Sequence, residues 1–166
     1  LYEDDKIVVM FSGGKDSTAI LFLTLIVAQK LNRKFSVFFV DQEFENNVME
    51  MLLDGENEIL SKLRKQYEHS KVISREFSTV GFFISFTVED RGELCLEGKS
   101  FYIGDVGGIV NGIESAIGFI LFIKNGYISL LEGYTNIIDN WPTNEEITLA
   151  YDSGKTRNIK SLNEKL

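Results

Sequence analysis

The sequence has one cysteine, one histidine, one proline and one tryptophan in 166 residues. With Cys95 alone there is no internal disulfide framework, and the chain suits a reducing compartment. With His69 alone, no Ser/His/Asp or Cys/His arrangement has its roles filled, and a lone histidine reads as structural. Charged residues break every apolar run before the ~18–20 residues that a membrane span requires. The acidic start, Leu1-Tyr2-Glu3-Asp4-Asp5, is unlike the basic opening of a secretory signal. A basic excess is missing as well: 17 Lys and Arg stand against 25 Asp and Glu, for a net charge of -8. Residues 1–46 hold 5 basic and 7 acidic residues, and 47–166 hold 12 and 18, so neither part is a basic module. Neither nucleic acid nor an anionic membrane is therefore an expected partner, and the expected location is cytoplasmic. The chain opens on Leu1 rather than methionine, as expected of a piece of something longer.

With 44% hydrophobic and 12% aromatic residues, a packed core is expected, in one domain or two small ones. The most informative stretch is Ser12-Gly13-Gly14-Lys15-Asp16-Ser17. The apolar run Ile7 to Phe11, a strand buried on both faces, leads into it. Thr18 to Leu31 leads out as a helix that is apolar almost all round, and so expected to be buried on more than one side. Strand, glycine turn and helix is an arrangement that binds phosphates. Adjacent glycines let a ligand come close to the backbone, and the first-turn amides of the helix and its dipole favour an anion. Lys15 adds an ammonium, Ser12 and Ser17 add hydroxyl donors, and Asp16 complements the helix dipole. A second strand, Phe35 to Val40, completes a βαβ unit and ends at Asp41. Ligands of open parallel sheets lie beyond the carboxyl ends of the strands, which makes Asp41 a candidate too. The competing reading of Asp41 is a solvated strand end.

A strand followed by SGGKDS resembles the PP-loop of the ATP pyrophosphatases and phosphoadenylylsulfate (PAPS) reductase-like enzymes, over residues 6–46, about a quarter of the chain. It is not a Walker A loop, whose glycines are separated by four residues. The resemblance implies an α/β fold with an N-terminal βαβ unit of HUP-like, parallel-sheet type. It also implies that residues 12–17 grip ATP or a PAPS-like nucleotide with Mg²⁺, and that Asp41 touches ribose or a metal. The family reaction is attack by a substrate on the α-phosphate, giving an adenylate and releasing pyrophosphate; Lys15 and the loop amides would stabilise the leaving group, which makes Lys15 the catalytic candidate. The reductase branch carries a Glu-Cys-Gly-type motif that Glu93-Leu94-Cys95-Leu96-Glu97 does not match, which argues against reductase chemistry.

Residues 47–166 resemble no family, and read as an α+β domain with antiparallel strands. A short helix is expected around Val48 to Leu53, and a second carries Ile59, Leu60, Leu63 and Tyr67 on one stripe. Val80 to Val88 alternates as a strand, Ser100 to Ile103 is a candidate strand, and Gly104 to Gly108 reads as a loop. Asn125-Gly126 between two apolar runs is a hairpin signal. Trp141-Pro142 ends the β-rich part, and Thr143 to Glu146 reads as a helix start, followed by a lysine-rich tail. Ser153-Gly154-Lys155-Thr156 ends like a Walker A loop, but Leu149 stands where its first glycine belongs. Two functions fit the whole. One is an adenine-nucleotide-binding, adenylating enzyme; the other is a non-catalytic interaction module, with a protein partner or a homo-oligomer, carrying an inactive loop.

Overall fold

The computed structural model describes residues 7–11, 15–39, 42–89, 92–142, 146–154, 156–158 and 162. The chain divides into two compact units, Leu1–Glu45 and Asn46–Leu166.

In the first unit β1 (Ile7–Phe11) is followed by α1 (Lys15–Lys30) and β2 (Phe35–Phe39). The two strands pair in parallel without a break, from Ile7 opposite Phe35 to Phe11 opposite Phe39. α1 stops because Asn32 takes a left-handed conformation (φ 50°), so that the Arg33 amide reaches the Ala28 carbonyl at 2.9 Å and the Asn32 amide the Gln29 carbonyl at 3.3 Å. Burial of α1 on several sides does not occur. Ala28 is buried, but Ile20, Phe22, Leu23, Val27 and Leu31 are all at least half exposed. Two strands offer a helix one narrow face, so the rest of its apolar surface has nothing in this unit to lie on.

The expected fold class, α/β with an N-terminal βαβ unit of HUP-like, parallel-sheet type followed by an α+β region with antiparallel strands, is overturned. The dominant sheet has six strands, all antiparallel, in the order β3-β4-β7-β6-β5-β8, and among the described residues parallel pairing is confined to β1 and β2. The strands are β3 (Ser70–Ser78), β4 (Gly81–Val88), β5 (Phe101–Val110), β6 (Ile113–Lys124), β7 (Tyr127–Thr135) and β8 (Ile147–Tyr151). The physical reason lies in the connections. Thr79-Val80, Asn111-Gly112 and Asn125-Gly126 are two-residue links, which can join only antiparallel neighbours, whereas a parallel pair needs a long crossover. No helix among the described residues is long and apolar enough to cross a membrane.

α2 (Gln42–Leu52), most of which belongs to this unit, and α3 (Glu58–Glu68) precede the sheet. Asn57 caps α3, its side-chain oxygen accepting from the Ile59 amide at 2.7 Å. The core takes Val48, Met49 and Leu52 from α2, and Leu60 and Leu63 from α3, all essentially without exposure. Alternate strand residues meet them in the interior: Phe82, Ile84 and Phe86 in β4, Ile117, Phe119, Leu121 and Ile123 in β6, Leu131 in β7. Trp141 stands edge-on to Phe82 and Phe119, with ring centroids 5.2 and 6.0 Å away.

Two expectations are corrected here, and one strand is added. Gly104 to Gly108 is not a loop: β5 runs through it, with a register irregularity between Ile103 and Val106 that takes up Gly104 and Asp105, while Gly107 and Gly108 pair with Gly118 and Ile117. The β-rich part does not end at Trp141-Pro142, since strand β8 follows from Ile147; of the helix start expected at Thr143 to Glu146, residues 143–145 lie outside the described residues. β3 was not expected at all. Its edge position leaves Val72 and Ile73 exposed, so it lacks the alternation that marks a half-buried strand.

The fit at Gly133 supplies a first prediction. A Cβ there would lie 2.5 Å from the Phe82 ring, which is itself wedged between Phe119 and Trp141. Gly133→Ala is expected to lower stability by about 1–3 kcal/mol through overpacking. Urea unfolding with an unchanged slope would register it as a shifted midpoint.

Candidate functional site

Of the residues singled out in the sequence, Ser12, Gly13, Gly14 and Asp41 lie outside the described residues. Lys15, Asp16 and Ser17 form the first turn of α1. A helix start presents backbone amides, and the dipole of this 16-residue helix places partial positive charge there. β1 ends at Phe11, four residues before the helix begins, and β2 ends at Phe39, directly opposite Phe11. The two strands therefore finish at one edge.

The second unit holds polar groups that the sequence did not flag. Arg157 is almost completely buried at its side chain. Its guanidinium forks onto the Asp105 carboxylate, with Nε to Oδ2 and Nη2 to Oδ1 both at 2.7 Å. The same group donates to the Leu52 carbonyl at 3.0 Å and to that of Asp54, so it caps the end of α2. Arg64 does likewise for the carbonyls of Leu53 and Gly55. Tyr151 lies beneath the Arg157 guanidinium, 5.5 Å from ring centroid to Cζ, and its hydroxyl sits 3.2 Å from Asp54 Oδ2. Burial pushes the Tyr151 phenol up from its ordinary pKa, and the Asp54 carboxylate adds to the rise. A phenol held protonated beside a spoken-for arginine is a fastening rather than a reacting group. Partners 52 and 105 residues apart leave no local pattern, which is why the sequence did not disclose them.

Gln66 is the other such group. It is fully buried in α3, donates to the carbonyls of Leu94 (2.7 Å) and Gly126 (2.8 Å), and accepts from the Ile128 amide (2.9 Å). His69 ends α3, its Nδ1 2.8 Å from the Lys65 carbonyl, which is a structural placement. Cys95 is half-buried, with Sγ 3.8 Å from the Asn125 carbonyl. Ser153 and Gly154 belong to a turn in which Ser153 Oγ donates to the Thr156 carbonyl at 2.8 Å; Lys155 lies outside the described residues. Among the described residues no group of three or more His, Cys, Asp or Glu could hold a metal ion. The structure thus brings together Lys15, Asp16 and Ser17 at a helix start, and separately a set of internal fastenings. Comparison with protein-family models, with curated proteins and with solved structures finds no match.

Proposed function

We propose that the chain binds an adenine nucleotide, ATP or a PAPS-like molecule, by its phosphates at Ser12 to Ser17. The observation that carries this reading is the order at the candidate site: strand β1, the glycine pair, then α1 opening on Lys15, with β2 ending opposite the end of β1. Backbone amides and a positive dipole end at a helix start suit an anion, which supports the reading. The reading rests on this loop and its two strands, and not on a sheet of the PP-loop type. Lys15 is the residue assigned to charge neutralisation, with Ser12 and Ser17 as hydroxyl donors. Mg²⁺ would come with the phosphates, as it does where one or two carboxylates and the nucleotide share its shell. Asp16 and Asp41 are the carboxylates offered. If catalysis follows binding, the reaction is transfer of the adenylyl group to a substrate, with pyrophosphate leaving toward Lys15.

Calorimetric titration of the whole chain with ATP and Mg²⁺ tests this. Saturable heat is expected, and Lys15→Ala should weaken binding at least about tenfold, the equivalent of ~1.4 kcal/mol, with the circular dichroism spectrum unchanged. Equal affinity in the two chains, or no heat from a folded chain, refutes the assignment.

A second reading has one observation behind it. The apolar residues that α1 leaves exposed suit a protein-interaction role with the loop inactive. In that case Lys15→Ala changes nothing, and substitutions at Phe22 and Leu23 change the oligomeric state or a partner's binding.

A further inference from the structure

Two Asn-Gly pairs turn the large sheet back on itself. Asn111-Gly112 joins β5 to β6 and Asn125-Gly126 joins β6 to β7, and φ is positive at all four residues: 51°, 78°, 52° and 86°. The asparagine side-chain amide is prone to attack by the backbone nitrogen of the next residue, and glycine hinders that attack least. In a closed two-residue turn the nitrogen is held away from the side chain, so the turn must open before reaction. The two turns differ in how firmly they are shut.

At Asn125-Gly126 the Gly126 amide donates to the Lys99 carbonyl at 2.7 Å, and the Asn125 amide donates to Ser100 Oγ at 3.0 Å. The Gly126 carbonyl accepts from Gln66 Nε2 and from the Leu96 amide. Gly126 is buried, packed against Cys95 and Leu96. At Asn111-Gly112 both residues are exposed, and no atom lies within 4 Å of where a Gly112 side chain would begin. Exposure continues along Ile113, Glu114 and Ser115, so the opening of this hairpin tip disturbs little else.

We infer that Asn111 is a site of spontaneous deamidation and that the fold shields Asn125 from the same reaction. Hydroxide removes the Gly112 amide proton, and the nitrogen bonds to Asn111 Cγ. The Cγ–Nδ2 bond breaks, and ammonia leaves with a proton taken from water. Water then adds to either carbonyl of the cyclic imide, giving aspartate or isoaspartate at 111. No oxidant or enzyme is required. The product adds one negative charge to a chain already at -8, and the isoaspartate form lengthens the backbone between the paired residues Val110 and Ile113. A two-residue turn no longer closes across that extra atom.

The test is peptide mapping by mass spectrometry after the whole chain has stood in mildly alkaline buffer, beside a sample kept in denaturant. In the folded chain Asn111 is expected to convert at least about fivefold faster than Asn125, the factor set by one protecting hydrogen bond at Gly126. In denaturant the two rates converge. Asn111→Gly, which keeps a turn tolerant of positive φ, should abolish ammonia release from this peptide alone. Equal rates in the folded chain, or a difference that persists in denaturant, would overturn the inference.

Discussion

Arg157→Ala is expected to destabilise the second unit by about 3 kcal/mol, more than any other single side-chain truncation considered for this protein. Removing one member of a buried ion pair typically costs ~3–5 kcal/mol, because the remaining charge is left uncompensated. Asp105 retains 23% exposure at its side chain, so water recovers part of the loss and the lower figure applies. The carbonyls of Leu52 and Asp54 lose their donor at the same time, which frays the end of α2. Arg157→Lys keeps the charge but not the fork, and should fall between the two. The double change Arg157→Ala with Asp105→Ala should be less destabilised than Arg157→Ala alone, since no charge is then orphaned. Thermal unfolding would show the single change as a midpoint lowered by roughly 10 °C. A loss below about 0.5 kcal/mol, the range of ordinary surface changes, would mean that Arg157 is not the fastening described.

Gln66→Leu is expected to cost about 2–3 kcal/mol despite its similar size. The leucine strands the buried Ile128 amide without its acceptor, at ~1–3 kcal/mol, and removes the hydrogen bond to the Leu94 carbonyl, while leucine's apolar burial returns part of the loss. The Gly126 carbonyl is spared, because the Leu96 amide still reaches it at 3.1 Å. Gln66→Glu keeps the acceptor for Ile128 but faces two carbonyl oxygens with a carboxylate, and should be at least as damaging. Amide hydrogen exchange gives a local check: Ile128 should lose protection beyond what the global change explains. Unchanged protection at Ile128 would contradict the assigned role.

These fastenings mark where sequence reasoning reaches and where it stops. The hairpin at Asn125-Gly126 was legible because its cause is local: two apolar runs and two residues that accept positive φ. The stripe Leu60, Leu63 on α3 was legible for the same reason, a period repeated within eleven residues. β8 was missed because Trp141-Pro142 reads as the end of the β-rich part, while its pairing is made with the distant strand β5. The parallel pair was read from one βαβ run and the antiparallel strands from alternation and turn signals, but the resemblance attached a parallel-sheet fold class to a chain whose larger sheet is antiparallel. The apolar character of α1 was read as burial, although a sequence shows what needs covering and not whether two strands suffice. At the candidate site, the order of strand, glycine pair and helix could be read directly, since Lys15 begins α1. The clamp of Arg157 on Asp105 could not, because nothing near Arg157 indicates its partner.

The claim at the centre of this account is that residues 12–17 take the phosphates of an adenine nucleotide. The most direct measurement follows backbone amide resonances of the whole chain as ATP and Mg²⁺ are added. Saturable shifts at Gly13, Gly14 and the first turn of α1 from Lys15, lost in Lys15→Ala, are the predicted result. Shifts confined to Asn46–Leu166, or none at any concentration up to the millimolar range, on the order of a -4 kcal/mol interaction, would contradict it.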